Sequence, residues 1–495
     1  MLRDGRAAEI AAAAGDFVIV ARGEDRDTIV SSRSGIVNYF WAADPGRARV
    51  IHGADLAAVL ADGERPVAWN HAAVADYLTF GHPLGTETLQ RGVNRVPAGA
   101  VMTLYRDRRN PEISLLDPVE AGESVGPDDA VEALSAAVRG CGDPCALSIS
   151  GGLDARALLA AVLAAGIRPR LLVSGVPGSF DREVATAIAG RFDLEIEVVA
   201  VGAEAVAKGA AETVVSSNGL LPATNWAGLE HLRARGPELG APVLLGFNGE
   251  YARSYYSADR GYRALGEAIL PRTLAPHLLH RRHAPPLRPG EPGALNPELR
   301  AAMAPAAIRE RVAAATAPLG GRTALDVADE FFLTQYGRQK MSADLAAIGP
   351  YVDWRVPFFA DGWVRTVRAL PRRWKLGDRL HRHTIAALCP QLLEFPDEGH
   401  GPATARRLPL VRLLAGPRPP GTPPYLDQTM FYGGPVLEGA ARHADALSDL
   451  VSPALAEKLA REMGEGHGRP HLCFALGALA QWRELLAEGS TDLVR

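Results

Sequence analysis

The stretch Cys145 to Arg156, CALSISGGLDAR, holds the residues whose types and spacing most plainly do chemistry. Two adjacent glycines, Gly151 and Gly152, let backbone N–H groups close on oxygens, and a helix starting at once aims its positive end at the same place. Ser150 adds a hydroxyl donor, Leu153 opens the helix, and Asp154 in its first turn is placed to hold a magnesium ion beside phosphates. The chemistry implied is binding of a nucleoside triphosphate with Mg2+. The alternative is an ordinary strand-to-helix turn. The chain has no GxxxxGK[ST] loop.

Such a loop needs a parallel sheet to present it, and the flanking sequence supplies one. Arg168 to Gly175 (RPRLLVSG) reads as a second buried strand, Asp181 to Arg191 as a helix, and Leu194 to Val201 as a third strand. Ligands of alternating strand–helix sheets sit at the carboxyl ends of the strands. Ser148, Val173, Ser174 and Gly175 at those ends therefore join Ser150 to Asp154 as candidate nucleotide contacts. The fold expected is α/β.

SISGGLDAR resembles the pyrophosphatase loop, SGGxDS, of the asparagine synthetase superfamily, whose members cleave ATP between its α and β phosphates. The likeness runs to about residue 395. Asp181 to Ala185 (DREVA) is similar to the family's helix after the second strand, Val243 to Arg253 (VLLGFNGEYAR) to its third block, and Tyr351 to Phe359 (YVDWRVPFF) to its E-x-R-V-P-F-L segment. Ala155 departs from the loop's second serine. The family's GDGAD reads here Gly246-Phe247-Asn248-Gly249-Glu250, which leaves Glu250, or Asn248 if the register slips by one, as the second magnesium ligand beside Asp154. Gly246 joins the nucleotide contacts. Asp353 replaces the family glutamate, and the downstream lysine has no clear counterpart, with Lys375, Arg379 and Arg382 all nearby.

The resemblance implies adenylation of a carboxylate, with pyrophosphate leaving and water excluded. One cation among Lys375, Arg379 and Arg382 would help neutralise the leaving group. Asp353 is the candidate base or orienting group for the amine; its structural alternative is an ion pair with Arg355. A solvated loop carboxylate is the alternative for Glu250.

Gly15 to Val20, Ser31 to Trp41 and Gly92 to Leu104 resemble the latter part of the family's glutamine-hydrolysing domain. There a cysteine after the initiator methionine releases ammonia, whereas here Leu2 follows Met1 and the first cysteine is Cys141. This front half is expected to be silent for ammonia production. The implied architecture is a degenerate, strand-rich glutaminase-like domain over 1-122 and a parallel-sheet synthetase domain over 123-495 with a largely helical C-terminal part. The amine would then come from the substrate. That points first to a lasso-peptide macrolactam cyclase joining an Asp or Glu side chain of a linear core peptide to its N-terminal amine, with a leader peptidase and a leader-binding protein as partners. A β-lactam synthetase-like or ammonia-using ligase stays open, and so does a scaffold that binds nucleotide without catalysis.

At 495 residues and 47% hydrophobic, the chain exceeds what one core usually accommodates. Asp117 to Asp128 reads as a boundary, and Asp128-Asp129 as the cap of a helix over Ala130 to Val138. A net charge of −4 gives no basic field for nucleic acid. The basic, proline-broken segment Arg272 to Arg288 reads as a solvated insertion, and His277, His280 and His283 lack the acids or cysteines of a metal site. Cys141, Cys145, Cys389 and Cys473 make no disulfide framework. The start lacks a signal-peptide pattern and no apolar run approaches a membrane span, so a cytoplasmic location is expected. The glycine- and proline-rich stretch Pro396 to Pro435 is expected to be a lid over the adenylate or a linker.

Overall fold

The computed structural model describes residues 7–44, 46–47, 49–116, 125–142, 145–199, 201–239, 242–258, 271–282, 287–396, 434–465 and 469–488. The expected lid, apart from its ends, most of the expected boundary, and His283 lie outside the described residues.

Among the described residues, seven strands precede residue 117: β1 (Val18–Arg22), β2 (Arg26–Ser31), β3 (Phe40–Ala43), β4 (Val50–Gly53), β5 (Val93–Arg95), β6 (Ala100–Tyr105) and β7 (Glu112–Leu115). They make two antiparallel sheets, ordered β1-β2-β6-β7 and β4-β3-β5. β6 shows why: Ala100, Met102 and Leu104 alternate inward with the period of two that a half-buried strand requires.

The remaining strands, β8 (Ala146–Ser148), β9 (Arg170–Ser174), β10 (Ile196–Val199), β11 (Val243–Leu244) and β12 (Trp354–Arg355), form one parallel sheet ordered β10-β9-β8-β11-β12. The molecule is thus mixed α/β, with one parallel and two antiparallel sheets. Leu171, Leu172 and Val173 are all buried, as befits a strand covered on both faces. Helices Leu153–Ala164 and Phe180–Phe192 make the crossovers. The chain runs from β8 outward through β9 and β10 and then returns to place β11 on the other side of β8. The switch point between β8 and β11 is where such sheets hold ligands.

Helix Pro127–Arg139 begins close to where the acidic pair marks it, and the Asp129 carboxylate accepts the Gly126 N–H at 2.8 Å. No cysteine is paired in a disulfide, and Cys145, Cys389 and Cys473 are buried. Among the described residues no helix is long and apolar enough to cross a membrane.

The division at residue 122 separates sheets but not cores. One apolar cluster joins Phe40, Leu56 and Leu89 in the front region to Leu455, Leu479 and Trp482 near the C-terminus. A polar seam reinforces it along Phe332–Met341, a π-helix, a rare winding whose looser turns redirect side chains. Arg338 donates to the Arg33 and Ser34 carbonyls, both at 3.0 Å, and Gln335 accepts the Gly85 N–H at 2.8 Å. Arg95 returns the contact, donating to Gln339 Oε1 at 2.7 Å.

Candidate active site

β8 ends at Ser148, and the chain turns through Ile149, Ser150, Gly151 and Gly152 into helix Leu153–Ala164. Glycine at 151 is required by packing, because a Cβ there would lie 2.4 Å from Phe180 Cε1. The loop amides already have internal partners. Gly151 N–H donates to Asp181 Oδ1 at 2.6 Å, and Gly152 N–H donates to Ser150 Oγ at 3.1 Å. Asp181 therefore stands where an anion would be received. The ends of β8 and β9 lie side by side, with Ile149 N–H donating to the Leu172 carbonyl at 2.9 Å, which brings Ser148 and the run from Val173 to Gly175 to the same edge.

Arg156, fully buried one turn into the helix, fixes the loop from beneath. Its guanidinium donates to the carbonyls of Gly151 at 2.5 Å, Leu392 at 3.2 Å, Phe395 at 3.1 Å and Pro396 at 2.9 Å. The sequence carried a signal for it: apart from Asp154, Arg156 is the one charge in LDARALLAAVLA.

The third block arrives through β11. Gly246 lies beside the helix start, where a Cβ would make ordinary contact with Ala155 N at 3.5 Å. Asn248 adopts a left-handed φ of 71°, and its Nδ2 donates to the Phe358 carbonyl at 2.8 Å, which ties this block to the chain after β12. Asn248 Oδ1 is buried without a hydrogen-bond partner, and Glu250 is the carboxylate that shares an environment with Asp154. Burial, with the Asp154 charge beside it, pushes the Glu250 carboxyl up to about 7, and its Oε2 is buried without a hydrogen-bond partner.

Asp154 is the centre of the cluster. Its Oδ2 accepts from Arg253 Nη2 at 2.6 Å, and its Oδ1 lies 2.8 Å from His381 Nε2, a close ion-pair distance whose angle is not that of a hydrogen bond. Burial alone would raise this carboxyl, but Arg253 and His381 outweigh it and hold Asp154 below the usual carboxylate value. Gly249 packs directly on it, since a Cβ there would lie 2.6 Å from Asp154 Cγ. Arg253 Nη1 also lies 3.9 Å from Asp378 Oδ1. With the Arg253 guanidinium on one Asp154 oxygen and the His381 ring against the other, Asp154 as arranged has no oxygen open to a resident divalent ion, while Glu250 Oε2 and Asn248 Oδ1 are buried without a hydrogen-bond partner. Among the described residues no group of three or more His, Cys, Asp or Glu side chains is disposed to hold one.

The expected catalytic side chains fall elsewhere. Asp353 is exposed and ion-paired with Arg355, the structural alternative. Val243 faces both Trp354 and Ala146 across the ladder, so Asp353 is level with Cys145, roughly 15 Å along the strands from Ser150. Arg379 is exposed and donates to the Arg373 carbonyl at 3.1 Å. Lys375 is buried beside the cluster, 3.6 Å from Asp329 Oδ2 and 5.3 Å from the centroid of the Tyr251 ring, and burial lowers its ammonium pKa. Sequence reasoning missed Arg253 and His381 as the residues that reach Asp154.

A cleft of about 1460 Å³ opens along β12, which is an edge strand, between it and the front region. Asp16, Arg33, Tyr351, Asp353, Arg355 and Asp361 are among the residues that line it, and no residue from Ser150 to Asp154 does. Pro357 and Phe359 form part of its wall and flank Phe358, whose carbonyl Asn248 holds. No family model matches the chain, and no curated protein matches it.

Proposed function

We propose that the chain is an ATP-dependent, AMP-forming amide ligase of the asparagine synthetase type, acting as a macrolactam cyclase on a linear peptide. The observation that carries this reading is convergence. The SGGLD loop, the GFNGEYAR block and His381 meet around Asp154 at the carboxyl end of a parallel sheet, beside its switch point.

In the reaction, an oxygen of the peptide's Asp or Glu side chain attacks the α-phosphorus. The bond from that phosphorus to the bridging oxygen breaks, and pyrophosphate leaves. The peptide's N-terminal amine then attacks the acyl carbon, AMP leaves, and the amine gives up its proton. Arg253 supplies positive charge where the pyrophosphate departs. Magnesium carried by the nucleotide would shield the phosphates. His381 is 1% exposed with neither ring nitrogen in a hydrogen bond, and so is better placed than Asp353 to take the proton. The cleft along β12, which no residue from Ser150 to Asp154 lines, exceeds the roughly 300–1,000 Å³ of small-molecule sites and gives a peptide room along the edge strand, with Pro357 and Phe359 in its wall beside the Phe358 carbonyl that Asn248 holds. A leader peptidase and a leader-binding protein acting upstream in the cytoplasm belong to the same proposal, as do the reading of residues 1-122 as a silent glutaminase-like region and of 123-495 as the synthetase.

A second reading has its own support. Both loop amides and both Asp154 oxygens are engaged within the chain, which suits a scaffold that holds a biosynthetic complex without turning over ATP. Pyrophosphate exchange into ATP and mass spectrometry with linear peptides encoded nearby separate the two. Loss of one water from a peptide together with AMP release, absent in Asp154→Ala, is the expected result. AMP formed only with a small amino acid or free ammonia would move the reading to a β-lactam or asparagine type of ligase, and no exchange with any of these substrates would favour the scaffold.

A further inference from the structure

A divalent ion held by two carboxylates needs their oxygens open to it, and magnesium demands near-octahedral oxygen ligation at about 2.0–2.1 Å. Here Glu250 Oε2 and Asn248 Oδ1 are buried without a hydrogen-bond partner, but both Asp154 oxygens are met by the protein. The short turn Gly249–Arg253 that delivers Glu250 also delivers Arg253, whose guanidinium bonds Asp154 Oδ2 at 2.6 Å and lies 3.9 Å from Asp378 Oδ1 on its other side. His381 faces the second Asp154 oxygen at 2.8 Å. Gly249 closes on the carboxylate so tightly that a Cβ would sit 2.6 Å from its Cγ, which leaves Asp154 little room to turn away from its partners. Asp154 and Asp378 with a cation between them have the charge pattern of a metal site, and here the cation belongs to the protein.

We propose that Arg253 occupies the place of a resident divalent cation, a fixed guanidinium facing incoming phosphates, so that the chain holds no metal of its own and meets magnesium only as the complex the nucleotide carries. The inference rests on reading this loop as a nucleotide site. A planar guanidinium suits the task because it is charged at any accessible pH and pairs with carboxylate and phosphate oxygens alike. It would also stay in place between turnovers, whereas a bound ion could leave with pyrophosphate.

The test is a titration of the full chain with Mn2+ and no nucleotide, read by the electron-paramagnetic signal of the free ion. The wild-type titration should match buffer alone. Arg253→Met should create one site per chain, at least about tenfold tighter than any wild-type binding, and adding Asp154→Asn should remove it. A wild-type site that Asp154→Asn abolishes would overturn the proposal, and so would a folded Arg253→Met, judged by circular dichroism, that gains no Mn2+. If Arg253→Met does not fold, Arg253→Lys takes its place: continued exclusion of Mn2+ supports the proposal and a bound ion defeats it. With no nucleotide present, these outcomes are independent of the pyrophosphate exchange that tests the ligase reading.

Discussion

Asp154 and Asp353 are both aspartates next to strands of one parallel sheet, and the molecule treats them in opposite ways. Asp154, 16% exposed, lies at the carboxyl end between Arg253 and His381, which reach it from distant parts of the chain. Asp353, 63% exposed, lies at the other end and is met by Arg355, its neighbour but one. What a carboxylate does here depends less on the motif around it than on what the fold brings from elsewhere. Burial makes a partner obligatory, and exposure makes it optional.

The sharpest way to break the comparison is Asp154→Asn. It should reduce pyrophosphate exchange by about 100-fold or more and, by leaving Arg253 and His381 without their counter-charge, destabilise the fold by about 3 kcal/mol in urea unfolding. Full exchange in this variant would place the chemistry elsewhere. Arg156→Met comes next. Five carbonyls, that of Gly152 included, lose a buried donor, so a loss of about 2–3 kcal/mol, seen as a lower Tm, is expected. An unchanged Tm would mean that the loop holds itself.

A smaller effect tests Glu250 through pH. Its folded carboxyl is raised to about 7 from an ordinary 4.5, so between those values the native state keeps a proton that the unfolded chain releases. Stability from this group is complete below the lower value and erodes as pH rises towards 7. Glu250→Gln should flatten that decline in urea midpoints measured from pH 5 to pH 8, and a slope as steep as wild type would remove Glu250 from the buried pair. The smallest effect belongs to Asp353→Asn, which should shift stability by less than about 0.5 kcal/mol and exchange by less than about twofold. A tenfold loss of exchange would tie the far end of the sheet to the chemistry after all.

What could be read from the sequence was local. The strand–loop–helix at Ala146–Ala164 and the strands after it stand where apolar runs and turn residues put them, with ends trimmed: β9 covers Arg170–Ser174 within the expected Arg168 to Gly175, and β10 covers Ile196–Val199 within Leu194 to Val201. The engaged loop amides were not legible, because Asp181 reaches Gly151 from the start of the next helix. His381 was missed for a related reason. It lies in RLHRHTIAAL among several cations, and only the packing of that helix on Leu153–Ala164 selects which one faces Asp154. The shared core was invisible for the same cause, since periodicity marks an apolar face without naming the face that covers it.

The π-helical seam at Phe332–Met341 has a practical corollary. Its side chains end on backbone groups of the front region, and Leu455, Leu479 and Trp482 share an apolar cluster with other front residues, Phe40, Leu56 and Leu89 among them. A piece from residue 123 onward, cut out on its own, would keep the whole cluster around Asp154 and yet lose the surface against which its last helices are folded. Anyone shortening this chain for expression should therefore preserve both ends together, because the front region is part of the material from which the back is made.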